Sequence, residues 1–305
     1  MDKKNLKKVI FTTITGGYDY IPQPRVIAKD FEYILFTNDM PEQQIGIWQV
    51  KHIPYENSNN VKLSRWVKTH PHILLESYDI SLYHDCNVIV DQNEYFDRIN
   101  ELIEDDTPIA FMNHIHRHCV YEEGFEIIYL NLEKVRKVLR EMAHIKHDNY
   151  PVNNGLVEAN CIYRKHHDPK VKQFCEKWWY MIDHYAQRDQ LSCNYVAWKC
   201  GLEIEHILPQ GSSTRNHPYI HCNKHLQKKT DIDGIIWYGS LKDRFKSHAQ
   251  KHYDRFVSSK CFSTTELYSY AMITIIRKYY SMVALKYKVA TQIKNAISEY
   301  RSKQK

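Results

Sequence analysis

Glycine is scarce in this sequence, and its cysteines follow no pattern. Only 9 of the 305 residues are glycine, whereas 23 are tyrosine and 26% are charged. This composition argues against a disordered or low-complexity chain and indicates a globular protein large enough for one or two domains. The eight cysteines contain no CxxC pair and no regular framework. We therefore expect free or buried thiols in a reducing cytoplasm.

Long apolar runs are missing as well. No stretch of about 18 consecutive apolar residues is present, so no membrane-spanning helix is predicted. The N-terminal segment MDKKNLKKVIFTTI starts with basic residues, but its apolar run is short and lacks a small-residue cleavage site. We interpret it as the lead-in to a first strand rather than as a signal peptide. The expected location is cytoplasmic, with peripheral attachment to the inner face of the cytoplasmic membrane as an option.

Acidic residues are few near the C-terminus. From Leu241 to Lys305 there are fourteen Lys and Arg but four Asp and Glu, a net charge of +10, so the first 240 residues carry −4 of the total of +6. We predict a main domain over residues 1–240 and a helical, basic extension over residues 241–305. The extension suits an anionic membrane surface, or packing on its own domain or a partner subunit. No base-reading module accompanies the charge, so nucleic acid is not an expected partner.

Strand and helix patterns alternate in the first ninety residues. Three β-branched and aromatic runs predict strands at residues 8–15, 32–39 and 46–54. Apolar residues at helical spacing follow in VKLSRWVKTHPHILL, and the nearly continuous apolar run ISLYHDCNVIV predicts a strand buried on both faces. The alternation predicts an α/β sheet whose ligands meet the carboxyl ends of the strands.

Later segments continue this pattern. TPIAFMNH predicts another strand that ends in polar residues. Amphipathic helices are predicted for LEKVRKVLREMAH, KVKQFCEKWWYMIDHY and RDQLSCNYVAWKCG, the last ending at Gly201. The segment PQGSSTRNHPYIHCNKH mixes Gly, Ser, Pro and His without periodicity and is expected to be a long loop.

Asp85 and Asn87 lie where the run ISLYHDCNVIV should end its strand. A divalent cation that carries a nucleotide diphosphate needs only one or two protein carboxylates, so an acid-x-amide pair at a strand end can hold it. The alternative is a polar turn, because Asp and Asn are common turn residues. His217, His221 and His225 offer a further metal ligand, with His221 as the selected candidate, although Pro218 argues against a regular helix there.

Two further acids and two histidine-rich segments are candidates. Asp189, flanked by Arg188 and Gln190, is either a site acid or an ordinary helix N-terminal acid. Glu158 is either a general base or acceptor for a sugar hydroxyl, or an exposed strand acid paired with Arg164. The segment HIHRHCVYEE has the histidine spacing of a zinc site on a strand. An edge that faces phosphate, built from His116 and Arg117, is the preferred interpretation because Arg donates two parallel bonds to an anion.

Several segments occur in a fixed order between about residue 8 and about residue 210. They are TTITGGYDYIPQP, YILFTND, KTHPHILL, LYHDCNVIV, HRHCVYEE, GLVEANCIYRKHH, KWW and RDQLSCNYV. In this order they resemble the glycosyltransferase-like domain of plant mucilage-related Golgi proteins and of bacterial polysaccharide-locus proteins. HRHCVYEE and RDQLS are the most specific segments.

The resemblance implies a GT-A-like fold and a nucleotide-diphosphate sugar donor. That fold is a Rossmann-like α/β architecture with a central mixed sheet flanked by helices. The first strand and its loop would hold the nucleoside through Thr13, Thr15, Gly17, Tyr18 and Asp39. Asp85 and Asn87 would occupy a corner that is usually Asp-x-Asp and binds Mn²⁺ or Mg²⁺. Asn at the second position lowers the ligand charge.

The resemblance also assigns roles at the reacting centre. The Asp-Gln pair of RDQLSCNY would lie near the donor sugar and the acceptor, which makes Asp189 the first catalytic candidate and Glu158 the second. Arg188 and Gln190 are assigned to the donor. Lys62, Arg65 or Arg117 would stabilise the departing diphosphate together with the metal.

The expected function is hexosyl transfer to a glycan or lipid-linked acceptor, in the synthesis of a bacterial surface polysaccharide such as capsule, O-antigen or lipooligosaccharide. Two alternatives remain open. Because a plant member of the family is linked to ceramide hydrolysis, a metal-dependent amide hydrolase is one of them, and it would need three protein ligands on its metal. The other is a non-catalytic module that binds nucleotides or glycans.

Overall fold

The computed structural model describes residues 5–225, 240–259 and 262–302. Contacts between residues divide the chain into two compact units. The sheet unit comprises the described residues of Met1–Glu122 and Pro151–Lys228. The helical unit comprises those of Glu123–Tyr150 and Lys229–Lys305. The C-terminal helices therefore share a unit with residues 123–150, a grouping that no sequence signal suggested.

Ten strands lie within the described residues. They are β1 Lys8–Thr13, β2 Phe31–Phe36, β3 Gln43–Ile45, β4 Trp48–Lys51, β5 Ile80–His84, β6 Val88–Val90, β7 Ile109–Asn113, β8 Val157–Arg164, β9 Glu205–His206 and β10 Ile220–Cys222. Nine helices lie there too. They are α1 Asn60–Thr69, α2 Pro71–Leu74, α3 Glu94–Glu104, α4 Val120–Tyr129, α5 Val135–His147, α6 Pro169–His184, α7 Asp189–Cys200, α8 Ser240–Ser258 and α9 Phe262–Ser302.

Eight strands form one mixed sheet in the order β3-β4-β2-β1-β5-β8-β7-β9. β1 pairs in parallel with β2 and β5, and β2 pairs in parallel with β4. β8 runs antiparallel to both β5 and β7, which places a reversed strand in the second half of the sheet. The predicted α/β fold, with a central mixed sheet flanked by helices, is confirmed.

Burial of the central strands explains why this sheet is stable. Val9, Phe11, Ile34 and Leu82 are fully buried, as the uninterrupted β-branched and aromatic runs predict for strands covered on both faces. Helix α7 ends where the sequence predicts, because Gly201 adopts φ 58° and closes the helix in the left-handed region.

The run ISLYHDCNVIV, expected to form one strand, is divided between two sheets. β5 belongs to the eight-stranded sheet, whereas β6 pairs antiparallel with β10 in a separate two-stranded ribbon. The Val88 amide donates to the Asp85 carbonyl over 2.9 Å, so a tight turn separates the two strands. The apolar run concealed this break because the residues on both sides of the turn are buried.

The helical unit contains α5, α8 and α9, and most of α4. α9 has 41 residues and packs along α8 and α5. Its inner face buries Ile273, Tyr280 and Ala284. The predicted helical, basic C-terminal extension is therefore present. In the described part of the chain, no helix combines the length and apolar character needed to cross a bilayer.

Candidate active site

The carboxyl ends of neighbouring parallel strands form one edge of the eight-stranded sheet. The loops after β1, β2 and β5 carry Thr15, Asp39 and Asp85 to this edge. β8 runs in the opposite direction, so Glu158 near its start reaches the same edge. The fold thus gathers four predicted residues that are far apart in the sequence, and we call this edge the strand-end site.

Asp39 organises the loop that follows β1. Its two carboxylate oxygens accept hydrogen bonds from the Gly16 and Gly17 amides, each over 2.9 Å. Both glycines have positive φ angles, 68° and 59°, and a Cβ at Gly16 would meet Asn60 Nδ2 at 2.1 Å. The Thr15 hydroxyl donates to the Asn60 carbonyl over 2.8 Å. This loop is therefore preorganised, with its backbone close to α1.

Thr13 and Tyr18, the other residues predicted to hold the nucleoside, lie at the two ends of the same loop. The Thr13 hydroxyl donates to the Phe36 carbonyl over 3.0 Å, so this hydroxyl joins β1 to β2. Tyr18 is half-buried and its ring lies 4.8 Å from the His225 ring. The structure brings all five predicted nucleoside residues to one place.

A buried lysine connects two of the predicted acids. Lys68 on α1 is fully buried, and its ammonium lies 2.7 Å from Asp189 Oδ2 and 3.0 Å from Asp85 Oδ1. Arg65, one helical turn earlier, lies 3.2 Å from Asp189 Oδ1. The Lys68 ammonium also lies 4.8 Å from the centre of the Tyr83 ring. Two cations and two carboxylates thus form one network, which is buried at Lys68 and Asp189 and opens to water at Asp85.

The charge state of Asp189 follows from this network. Burial by itself raises the pKa of the Asp189 carboxyl, but the charges of Arg65, Lys68 and Arg188 outweigh burial and hold the pKa well below its usual value. Asp189 is therefore a carboxylate throughout the neutral range. Its backbone carbonyl accepts from Trp178 Nε1 over 2.8 Å, so a buried tryptophan fixes the start of α7.

Asp85 and Asn87 lie in the tight turn between β5 and β6. Asp85 Oδ1 accepts from the Tyr83 hydroxyl over 2.9 Å and contacts Lys68, whereas Oδ2 has no such partner among the described residues. The Asn87 side-chain amide donates to the Asn223 carbonyl over 2.8 Å. Asp85 is partly exposed, with 30% of its side chain accessible. Asp85 and Asn87 thus form a polar turn, and the same turn places the Asp85 carboxylate at the end of β5.

His225, and not the predicted His221, lies beside Asn87. His225 Nε2 is 3.5 Å from the Asn87 amide nitrogen, and its Nδ1 is 2.6 Å from Asp19 Oδ2. Both ring nitrogens of His221 contact other groups, Asp91 at Nδ1 and Asn223 at Nε2. In the described ranges no three His, Cys, Asp or Glu side chains converge in a way that would hold a metal ion.

Glu158 is buried, and its partner differs from the one considered in the sequence. Arg215 Nε donates to Glu158 Oε1 over 2.8 Å, and Asn160 Nδ2 lies 3.4 Å from Oε2. Arg164, the partner considered from the sequence, instead donates to the Lys68 carbonyl over 2.7 Å. Arg164 is itself fully buried, so it fixes the end of α1 that carries Lys68.

The segment HIHRHCVYEE forms a loop and the start of a helix rather than a strand. His114 is buried, and its Nδ1 accepts from the amides of His116 and Arg117. Burial, followed by the charges of Arg117 and Arg215, lowers the pKa of His114 to about 4, so the ring is neutral. The His116 side chain is exposed, whereas an Arg117 terminal nitrogen lies 3.1 Å from His114 Nε2.

The remaining predicted donor contacts lie at the ends of helices. The Lys62 ammonium is 2.6 Å from Asp183 Oδ1 on α6. Arg188 is the N-cap residue of α7, and Gln190 follows Asp189 in its first turn. Both side chains are half-buried, and the positive charge of Arg188 lowers the pKa of the Asp189 carboxyl.

Comparison with known families identifies the domain. A family model described as the TOD1/MUCI70 glycosyltransferase-like domain matches residues 1–209. The chain belongs to this family. The family is described as glycosyltransferase-like, which agrees with the resemblance noted in the sequence. Among solved structures, the chain is similar to the apo structure of the WbbM bifunctional glycosyltransferase, with a TM-score of 0.38 and 8% identity.

The WbbM match covers 66% of this chain and 39% of that protein, so this chain spans well under half of its length. At this TM-score we draw no conclusion from the likeness. A comparison with curated proteins gives no match. The fold assignment in this TOD1/MUCI70-type domain rests on its own strand order.

Several residues of the site were not predicted. Lys68 lies within KTHPHILL but was not selected as a site residue, and Arg164 was considered only as a partner of Glu158. Arg215 and His225 lie beyond the matched residues 1–209, in the segment expected to be a loop. The sequence did contain a signal for Lys68. It follows Arg65, a predicted site residue, by three positions and therefore lies on the same face of the helix.

Proposed function

We propose that this domain transfers a sugar from a nucleotide-diphosphate donor to a glycan or lipid-linked acceptor at the strand-end site. The observation that carries the proposal is the buried Lys68–Asp189–Arg65 network, which adjoins Asp85 at the carboxyl edge of the sheet. Loss of a diphosphate leaves negative charge in the transition state, and fixed cations in a water-poor site stabilise it. The glycine loop held by Asp39 supports a nucleoside position beside them.

Asp189 and Glu158 take different parts in this proposal. A carboxyl group whose pKa lies far below neutral is a weak base, so Asp189 is proposed as a positioning residue that holds Lys68 and Arg65. Glu158 reaches the same edge from β8 and is proposed to face the acceptor hydroxyl. Arg65, Lys68, Arg117 and Arg188 are the proposed cations for the diphosphate.

A divalent metal, Mn²⁺ or Mg²⁺, is part of the proposal. Asp85 keeps one carboxylate oxygen without a partner among the described residues. Asn87 lies in the same turn as Asp85, and the His225 imidazole lies near the Asn87 side chain. These oxygen and nitrogen donors fit a metal that also binds phosphate oxygens. When bound, the ion would supply positive charge for the diphosphate. His221 is a weaker candidate because Asp91 and Asn223 already contact its ring.

The first test is binding of the donor. Thermal unfolding of the full chain is followed with a panel of uridine, guanosine, cytidine and thymidine diphosphate sugars, each with and without Mn²⁺. We expect one donor to raise the melting temperature, and we expect Asp85→Ala to abolish the metal-dependent part of this rise. The matched control is Asp183→Ala, which removes an acid outside the strand-end site.

The second test is turnover of that donor, measured as release of nucleoside diphosphate. Transfer or slow donor hydrolysis supports an enzyme. Binding without any release would favour the non-catalytic module, and no response to any nucleotide would overturn the proposal. Hydrolysis of an amide substrate without any nucleotide sugar would favour the amide hydrolase alternative.

The outer face of α9 supports a proposal about the acceptor side. Six apolar residues on this helix, each 45–61% exposed, repeat mainly at three- and four-residue spacing: Ile275, Tyr279, Met282, Leu285, Val289 and Ile293. Exposed Lys278, Lys286 and Lys288 lie among them. An apolar stripe with lysines suits the interface of an anionic membrane. A lipid-linked intermediate of a bacterial surface polysaccharide is the acceptor we propose.

The membrane proposal is tested by sedimentation with vesicles. We expect the full chain to bind vesicles that contain phosphatidylglycerol, to release with salt, and to bind neutral phosphatidylcholine weakly. Met282→Glu with Val289→Glu should reduce binding at least tenfold without unfolding the protein, because both side chains already face water. Asn295→Glu, at an exposed position on another face of the same helix, adds one charge away from the apolar stripe and should reduce binding far less. Unchanged binding of the double variant would contradict this role of α9.

A further inference from the structure

A second cavity of the sheet unit lies beyond the ends of β7 and β8. Its volume is about 630 Å³, within the range of small-molecule sites. The lining comes from the loop after β7, the start of β8, one face of α7 and the loops around β9. We call this cavity the amide groove, after the side chains of Asn113, Asn154, Asn194 and Gln210 that line it.

The amide groove has no acidic, lysine or arginine side chain in its lining, as far as the described residues show. The lining histidines include His114, whose pKa is lowered to about 4 by burial and nearby arginines. Burial likewise lowers the pKa of His206. A groove that is polar but uncharged is poorly suited to a phosphate, a nucleotide or an acidic peptide, because those ligands need positive charge.

Asn194 and Trp198 present complementary chemistry on one face of α7. Asn194 Oδ1 accepts from the Val157 amide over 3.0 Å, which fixes the side chain and turns its NH₂ group toward Gly155 and the groove. Trp198, four residues later, is 40% exposed and lines the same groove. An aromatic face packs on the apolar C–H face of a sugar ring, while amides donate to and accept from its hydroxyls.

The amide groove and the strand-end site meet along the chain at the start of β8. Val157 lines the groove, and the next residue, Glu158, belongs to the strand-end site. His114 also lines the groove, and its ring contacts Arg117. Gly155, with φ 82°, lets the chain turn into β8 without a side chain that would narrow the groove near Asn194.

We propose that the amide groove binds a neutral, hydroxyl-rich saccharide, with Trp198 as the stacking surface and Asn194 as a hydrogen-bond donor. The proposal rests on the proposed function in one respect: the saccharide is the acceptor end of the glycan that receives the sugar. The groove leads that glycan to Glu158, so its lining selects the acceptor. The charged strand-end site selects the donor.

The test measures saccharide binding directly, without a donor. The full chain is titrated with neutral gluco-, galacto- and manno-configured trisaccharides, and with sialylated and phosphorylated trisaccharides as charged probes. Binding is followed by saturation-transfer NMR and by tryptophan fluorescence. We expect at least one neutral probe to bind, with an affinity that does not change with salt. Trp198→Ala should weaken it at least tenfold.

Two further variants make the result decisive. Asn194→Asp keeps the oxygen that accepts from Val157 but removes the NH₂ donor, so it should weaken binding severalfold while the fold is retained. Tyr180→Ala removes an aromatic ring that is 52% exposed on α6 and outside the groove, and it should have no effect.

The outcomes separate this proposal from the donor proposal. Loss of saccharide binding in Trp198→Ala and Asn194→Asp, with donor-induced stabilisation retained, supports the groove as an acceptor site. Saccharide binding without any nucleotide response would uphold the groove and overturn its connection to transfer. The inference is overturned if no neutral probe binds, if only charged probes bind, or if both variants bind as the wild type does.

Discussion

The strand-end site and the amide groove lie side by side in the sheet unit, but they handle charge in opposite ways. The strand-end site buries Lys68 and Asp189 as ions, with Arg65 and Asp85 beside them. The groove is equally polar, yet its polarity comes from amides and neutral imidazoles. The difference shows that one sheet unit can keep buried charge apart from neutral polarity, which is the separation that the proposed donor and acceptor would need.

The two sites also depend differently on their surroundings. A buried ion needs a partner, because removing one member of a pair leaves the other charge without solvent or counter-charge. An amide in an open groove keeps its hydrogen bonds to water when a partner is lost. Substitutions should therefore cost stability in the strand-end site and mainly binding in the groove.

The largest effect is expected for Lys68→Met. This change leaves the buried Asp189 carboxylate without its closest cation, and breaking such a pair costs about 3–5 kcal/mol. The free energy of unfolding is measured by urea titration. Lys62→Met is the matched control, since Lys62 lies on the same helix and pairs with a partly exposed aspartate at 2.6 Å. That pair is worth about 1 kcal/mol or less, so equal costs would contradict the comparison.

Acid should act on His114 of the groove before it acts on Asp189 of the strand-end site. The folded pKa of His114 is about 4, below the unfolded value of about 6.5. The unfolded state therefore binds the proton first, and His114 removes up to ~3 kcal/mol of stability as the pH falls from 6.5 to 4. His114→Asn keeps an acceptor for the two amides and should make the stability curve less steep in this window. Burial also lowers the pKa of His70, His84 and His166 to about 4, so these three histidines keep the rest of the slope.

Asp189 should respond in a lower pH window. Its pKa is also lower in the folded state, so its stabilisation is complete above the unfolded value of about 3.9 and is lost as the pH falls further. Asp189→Asn should remove this acid-dependent loss below about pH 4 and leave the His114 window unchanged. A single window shared by both variants would contradict the assignment.

Salt should separate the ligands of the two sites. Raising the ionic strength from about 0.05 to 0.5 M shortens the Debye length and screens the cations that face a diphosphate. We expect about a tenfold loss of nucleotide affinity, because several charged contacts contribute. Neutral trisaccharide affinity should stay constant in the same calorimetric titrations. Equal salt dependence would show that the groove carries charge in solution.

The smallest effect is expected for Asn87→Asp. It adds a second carboxylate to the turn that contains Asp85, so Mn²⁺ affinity should rise a few-fold. The measurement is Mn²⁺ titration by electron paramagnetic resonance. Asn93→Asp adds the same charge after β6, away from the turn, and should leave Mn²⁺ affinity unchanged. No gain in the Asn87 variant would argue against metal at this corner.

Particular residues show how far the sequence could predict the molecule. The strands and α7 with its Gly201 end follow from local patterns, because apolar period and glycine geometry are local properties. Asp85 and Asp189 were selected as site acids, and the structure joins them. Their joint partner, Lys68, was not predicted, because 104 residues separate the two acids and only the sheet order brings both to α1.

The second part of the site was harder to predict for a physical reason. Arg215 and His225 follow the last helix of the sheet unit in a segment without periodicity, so no local signal assigns them a position. His221 was chosen from three histidines with equal spacing, and the pairing of β10 with β6 decides which of them faces Asn87. The register of a two-stranded ribbon depends on tertiary contacts, so the spacing of histidines along the sequence does not reveal it.

The ribbon of β6 and β10 sets a practical boundary for this domain. The family match ends at residue 209, but the Asn223 amide donates to the Asn87 carbonyl over 2.7 Å, and the Asn87 side chain donates back to the Asn223 carbonyl. A protein truncated at the matched boundary would expose the edge of β6 and release the turn that holds Asp85 and Asn87. Any shortened version intended for ligand screening should therefore extend through His225.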